Sequence, residues 1–304
     1  MNGRIIYFIS ICSICSLCFS LALEAGGGSV TAQKKEKRLP FPKWLTDFTG
    51  LKEWPDLNPP YIPLDFIKLN NLPKIPRHAN GDCRAISNNR DICSFDCHKC
   101  LAHDDISTCK KLSQTFDDGP SEFTSILLRN LKSKSTFFTL GINVVDHPDT
   151  YREAAKRGHV MGSHTWSHKY LPALSNEEII AQIEWSIWAM NATAGHIPKW
   201  FRPPYGGTDN RVRSILRLFG MQNVLWDVDT FDWQLVTNNP NKKSEASIYE
   251  DIRRVKDKSN KGLTLEHDVF RKTVEVGVNI QNILGLDQCT VPQCVGGQDY
   301  IRKY

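Results

Sequence analysis

From Leu112 onward the sequence alternates short apolar runs with amphipathic stretches of helical period. A chain so ordered has few ways to bury its apolar surface. Residues 112–116 read as a strand, and residues 120–131 as a helix with Pro120 in its first turn. Residues 136–140 suit a buried strand, residues 150–156 a helix stopped by Gly158, and Val160 leads a third strand into His164. Ser175-Asn176-Glu177-Glu178 is a capping box, and the helix it opens puts Ile179, Ile180, Ile183, Ile187 and Trp188 on one broad face. Trp200-Phe201, a helix over 210–219, a run at 224–226 and another at 263–265 continue the pattern. Strands joined through helices pair in parallel, so an α/β fold is expected, as a barrel or a doubly wound sheet.

In such folds reactive side chains gather at the carboxyl ends of the strands. The polar residues directly after the apolar runs are Asp117-Asp118, His164 and His168, Arg202, Asp229 and Asp232, and His267. Singly, each has a plainer reading. Adjacent aspartates before Gly119-Pro120 serve turns, an arginine before Pro203-Pro204 makes surface ion pairs, and a lone histidine more often satisfies a core. His164 and His168 stand at i, i+4, which aligns two rings on one side of a helical turn but is common by chance. As a set they say more. Two imidazoles and one carboxylate leave positions open for water, as catalytic zinc sites do. With Asp118 as third ligand, Asp117 stays free beside the ion as a base. Gly-x-Ser-x-Gly is absent, which argues against a serine esterase.

The residues sit in five segments: Thr115-Phe116-Asp117-Asp118-Gly119-Pro120, His164-Thr165-Trp166-Ser167-His168, Arg202-Pro203-Pro204-Tyr205, Asp229-Thr230-Phe231-Asp232-Trp233 and Leu263-Thr264-Leu265-Glu266-His267. In that order they resemble the five motifs of the NodB-type polysaccharide deacetylases, carbohydrate esterase family four. Residues 51–66, the cysteine cluster and Cys294-Val295-Gly296-Gly297 further resemble the yeast sporulation branch, whose members deacetylate chitin in the spore wall.

The resemblance implies a distorted (β/α) barrel with fewer than eight regular strands, carrying a Pro-rich and Cys-rich N-terminal extension. It implies one divalent ion, zinc or cobalt, on Asp118, His164 and His168, with Asp117 as general base and Arg202 orienting it. Tyr205 would offer its backbone N–H to the oxyanion, and His267, tuned by Asp232, would be the general acid. Trp233 and Leu265 would wall the acetyl methyl group; Asp229 is an alternative partner for His267. The implied reaction converts N-acetylglucosamine units of chitin to glucosamine, giving chitosan and acetate. Two alternatives stand beside it: deacetylation of another polysaccharide, and an inactive wall-binding protein. Retention of both Asp117 and His267 argues against the second.

Residues 1–25 read as a secretory leader, with Arg4 before an apolar run and small residues near Ala22 and Ala25. An uncleaved anchor is the rival, weakened by Cys12, Cys15, Cys18 and the serines inside the run. No stable membrane span is expected after cleavage, and the product would be secreted to the cell wall or spore wall. Residues 26–38 read as a flexible linker whose Lys37-Arg38 is either a processing site or a solvated charge run. Residues 39–110 form the extension and 111–304 the deacetylase domain with its tail; eight prolines over 39–76 suggest extended chain on a domain surface.

Seven cysteines remain after the leader. In a secreted chain Cys83, Cys93, Cys97, Cys100, Cys109 and Cys294 suggest disulfides rather than a zinc knuckle, with pairing left open. The yeast resemblance implies six such cysteines and leaves Cys289 as the extra thiol. Asn191-Ala192-Thr193 is a glycosylation sequon. A net charge of +5 with scattered lysines and arginines gives no nucleic-acid surface, so the expected partner is chitin, polymeric or as oligomers, bound by a monomer.

Overall fold

The apolar runs form strands too short to stand alone, each held by its neighbours. The computed structural model describes residues 36–86 and 88–304, which lie in one compact unit. The expected leader and linker residues 26–35 lie outside the described residues. The extension carries helices α1 (Lys43–Thr49) and α2 (Phe95–His98). Strands β1 (Leu112–Ser113) and β2 (Thr115–Asp117), helix α3 (Thr124–Asn130), strand β3 (Thr136–Thr139), helices α4 (Gly141–Asp146) and α5 (Pro148–Lys156) and strand β4 (Val160–Ser163) follow. Next come α6 (Asn176–Ala194), β5 (His196–Pro198), β6 (Trp200–Phe201), α7 (Asn210–Leu218), β7 (Gln222–Asn223) and β8 (Val228–Asp229). The chain ends with α8 (Glu245–Lys258), β9 (Gly262–His267), α9 (Arg271–Leu284), α10 (Val291–Val295) and β10 (Tyr300–Lys303).

Eight strands form one parallel sheet in the order β1-β9-β2-β3-β4-β6-β7, with β8 also on β9. The six residues of β9 thus serve three neighbours, while β1, β6, β7 and β8 have two residues each. This is a curled, half-barrel sheet covered by helices, in which only a few strands are regular. Register sets Asp117 opposite both Phe138 and His267. The chemistry-bearing ends of β2 and β9 are therefore side by side.

Local chemistry moves several expected boundaries. The helix expected over 120–131 spans Thr124–Asn130, because Thr124 Oγ1 accepts from Ser121 N–H (2.8 Å) and the Ser121 hydroxyl donates to the Asp268 carbonyl (2.7 Å). The run at 224–226 gives only a bridge from Val224 to Ile106, and Trp226 turns into a cleft. The proline-rich stretch is not wholly extended. Helix α1 fits between Pro42 and a left-handed Gly50, and Leu39, Leu45 and Trp54 are buried with Phe116, Phe137, Trp166 and Trp185.

Three indole N–H groups are satisfied by extension carbonyls: Trp54 on Leu39 (2.9 Å), Trp166 on Asp56 (2.7 Å) and Trp185 on Pro60 (2.8 Å). Buried indoles need such partners, and proline-rich chain, poor in internal hydrogen bonds, has carbonyls free to supply them. The last residues of the expected linker are also engaged: Glu36 accepts from the Asp149 N–H at the start of α5 (2.7 Å), and Arg38 pairs with Asp146 (2.9 Å).

The disulfides are Cys83–Cys97, Cys93–Cys100 and Cys109–Cys294. Cys289 is free and buried against Cys109 and Cys294, its N–H donating to Ser113 Oγ (2.9 Å). A thiol out of contact with water is shielded from alkylation. Cys289 is expected to resist iodoacetamide in the native protein and to react after denaturation without reductant. Rapid native labelling would contradict its burial.

Candidate active site

Asp118, His164 and His168 approach one another from the ends of β2 and β4, their ligand atoms within 4.8 Å of one another. Asp118 Oδ1 lies 3.4 Å from His164 Nε2 and 3.3 Å from His168 Nε2, and this buried oxygen has no hydrogen-bond partner. His164 Nδ1 is 2.7 Å from the Arg202 carbonyl, which can only accept, so Nδ1 carries the proton. In the neutral ring Nε2 then presents its lone pair to a carboxylate. His168 is neutral at ordinary pH: burial lowers its pKa to about 4, the Asp118 charge only partly opposing. Asp118 is ionised well below the usual carboxylate range; burial alone would raise it, but the surrounding His164, His168 and His267 rings together outweigh burial.

Two ring lone pairs and one anionic oxygen converging on a common point fit a divalent cation, and one placed there would satisfy the orphaned Oδ1.

Asp117, beside this cluster, is held differently. Arg202 Nη1 donates to Asp117 Oδ1 (2.9 Å) and to Thr115 Oγ1 (2.7 Å), and Nη2 donates to the Leu225 carbonyl (3.1 Å). The guanidinium is 0% exposed, lies 4.2 Å from the Phe138 ring centroid, and faces an Asp117 side chain 2% exposed. Asp117 Oδ2 remains directed toward the cluster, 3.9 Å from His164 Nε2.

On the other flank His267 Nδ1 lies 2.7 Å from Asp232 Oδ1, and the His267 N–H donates to Asp232 Oδ2 (2.8 Å). Burial opposes the charged ring, but the Asp232 contact, helped by Asp118 and Asp117, pushes its pKa up to about 10. Of the two aspartates weighed as its partner, Asp232 makes these contacts. Asp229 instead accepts the Phe231 N–H (2.8 Å), and burial raises its pKa.

Asp117, Asp118, His164, His168, Asp229 and His267 line a cleft of about 380 Å³ with Tyr205, Trp226, Trp233, Leu265 and Phe270, while Arg202 and Asp232 lie buried behind it. Tyr205, at φ 60°, sits 4.6 Å ring to ring from His168. Left-handed backbone at non-glycine residues is uncommon, yet Asp118, Thr165, His168, Tyr205 and Phe231 all adopt it around this cleft. Asn191, in the last turns of α6, is half-buried and does not line it.

Asp268 escaped the sequence reading. Fully buried, it accepts from the Gly119 N–H (3.0 Å) and the Thr124 hydroxyl (2.6 Å), while its N–H donates to the Asp117 carbonyl (3.3 Å). Burial, reinforced by the Asp118 and Asp117 charges, raises its pKa to about 7. A Cβ on Gly119 would lie 2.3 Å from Asp268 Oδ2, so the turn after Asp118 needs glycine. The sequence signal was its place directly after His267.

A family pattern described as polysaccharide deacetylase matches residues 104–224. Chitin deacetylase 1 of Saccharomyces cerevisiae is 54% identical over 282 residues, covering 93% of this chain and 92% of that protein. Chitin deacetylase 2 of the same yeast is 57% identical over 272 residues, covering 90% and 86%. The solved chitin deacetylase of the fungal pathogen Colletotrichum lindemuthianum matches with a TM-score of 0.55 and 28% identity, over 64% of this chain and 92% of that one. Likeness of this extent, reaching through the extension as well as the sheet, makes the chain a member of the polysaccharide deacetylase family.

Proposed function

We propose that this protein hydrolyses the acetamide groups of N-acetylglucosamine units in chitin, giving chitosan and acetate, during assembly of a fungal cell wall or spore wall. The observation that carries the reading is the Asp118–His164–His168 cluster flanked by an Arg202-held Asp117 and an Asp232-held His267. The two yeast relatives, both chitin deacetylases, support chitin as the substrate.

An amide carbonyl is a poor electrophile and an amine a poor leaving group, so both ends need help. Asp118, His164 and His168 would hold one divalent ion, zinc or cobalt, which when bound polarises the acetyl carbonyl and acidifies water. Asp117 Oδ2 takes the proton from the attacking water, while Arg202 fixes the other oxygen and excludes alternative rotamers. The Tyr205 N–H donates to the developing oxyanion. His267, charged through its contact with Asp232, delivers a proton from Nε2 to the departing amine nitrogen. Trp233 and Leu265 line the cleft where the acetyl methyl would sit. No covalent intermediate is required.

Residues 1–25 would act as a secretory leader and 26–38 as a linker, with residues 39–110 an extension of the deacetylase domain at 111–304. Asn191 would carry a glycan, and the secreted protein would act as a monomer. The disulfides fit an oxidising compartment, and no helix among the described residues is long and apolar enough to cross a membrane. Acetate release measured in parallel from chitin oligomers, peptidoglycan and acetylxylan tests the substrate. Release chiefly from chitin is expected; preference for either other polymer would overturn the assignment.

A further inference from the structure

The family pattern begins at residue 104, yet the cleft has a lining residue that lies well before it, Asn80. We propose that the turn at 79–82, carried by the cysteine-stapled extension, is part of the substrate-binding cleft, where the Asn80 side-chain amide hydrogen-bonds a sugar unit beyond the one being deacetylated. The proposal rests on the deacetylase reading above and names a contact for the N-acetylated sugar chain.

Asn80 is exposed and lines the same cleft as Asp117, Asp118, His164, His168 and His267. The cleft, about 380 Å³, is larger than a single acetyl group needs, and the exposed rings of Tyr205 (53%) and Phe270 (48%) line it as well. Aromatic faces suit the apolar faces of sugar rings. An amide offers both donor and acceptor, which matches hydroxyl and acetamide groups alike.

The turn is also held rigidly. Its backbone closes through Asp82 N–H to the Ala79 carbonyl (3.1 Å), with Gly81 at φ 81°. Immediately before it, the His78 N–H donates to the Pro172 carbonyl (3.3 Å), and His78 Nε2 lies 2.8 Å from the Tyr170 hydroxyl. Tyr170 donates in turn to Asp96 Oδ2 (2.5 Å), so its oxygen accepts from His78. Immediately after it, Cys83 is bridged to Cys97. The segment carrying Asp96 is itself fastened to the sheet domain, by Phe95 N–H on the Thr208 carbonyl (3.2 Å) and by Arg213 on the Cys93 carbonyl (2.5 Å).

His78, Asp96 and Cys97 approach one another as metal ligands would, but the Cys97 sulfur is in a disulfide and the other two engage Tyr170. This cluster is a tether. It fixes the turn against the loop that follows His168, so Asn80 is placed before substrate arrives, and preorganisation of that kind improves binding by lowering its ordering cost.

The test is steady-state deacetylation, by the full zinc-loaded chain, of an N-acetylglucosamine pentamer and of the dimer, which can leave the Asn80 position empty. Asn80→Ala is expected to lower kcat/KM for the pentamer by about three- to tenfold, the loss of one neutral hydrogen bond, mainly through KM. The fall for the dimer should be smaller. Replacing Cys83 and Cys97 together by alanine, which keeps Asn80 but frees the turn, should shift the pentamer-to-dimer ratio in the same direction. Equal effects on the two lengths, or no effect of Asn80→Ala on the pentamer, would overturn the proposal. An unaltered protein that releases acetate from neither length would overturn the deacetylase reading and this contact with it.

Discussion

Asp117→Asn is expected to bind metal as the unaltered protein does and to lose about 10²–10⁴-fold in turnover, the usual contribution of a general base. The two adjacent aspartates look interchangeable in sequence but not in space. Asp117 is gripped by Arg202 and leaves one oxygen toward the cluster, whereas the buried Asp118 Oδ1 has only the two ring nitrogens within reach. Asp118→Asn should therefore behave as a weak-metal variant, partly rescued by raising the ion concentration. Removing the Asp117 charge also strips the partner from a buried guanidinium, a kind of change that costs about 3–5 kcal/mol. Asparagine keeps an acceptor for Arg202 Nη1, so the lower part of that range is expected. Metal content and turnover measured on both folded variants separate the roles. Metal rescue of Asp117→Asn but not of Asp118→Asn would reverse them.

His267→Ala should retain metal and also lose about 10²–10⁴-fold, with a change in the shape of its pH profile. The ring must be charged to donate a proton, so its contribution falls as pH rises through its folded pKa, raised to about 10. A cation on Asp118 would offset part of the carboxylate field and bring the limb to lower pH. Stability has the same sign: the charged pair with Asp232 contributes fully below the ordinary histidine value and is lost as pH rises toward about 10. The alkaline limb of kcat/KM should therefore disappear in His267→Ala. If it persists unchanged in the residual activity, another group donates the proton.

The strand ends were legible because apolar runs and the polar residues after them are local signals. Asp117 and His267 end the short runs of β2 and β9, and His164 and Arg202 directly follow those of β4 and β6. Helices α8 and α9, by contrast, drew no expectation, although α8 opens with the Ser244 cap and α9 buries Val274, Val276 and Ile280. Pairing of β5 with β10 joins residues about a hundred positions apart through strands of three and four residues, with too little periodicity to read. Asp268 and Asn80 act through neighbours distant in sequence, so their roles required the fold. The extension was misjudged because proline forbids regular helix locally but does not forbid burial: Trp54 lies in the main core.

Asp118, His164 and His168 are expected to hold one ion that deacetylation of chitin requires. Titrating zinc into metal-stripped protein, with bound metal and acetate release from a chitin pentamer followed together, tests it most directly. Acetate release is expected to rise in proportion to bound zinc and to saturate at about one ion per chain, the stoichiometry of one three-residue site. Full turnover by the stripped protein, or no acetate at full occupancy, would contradict the account.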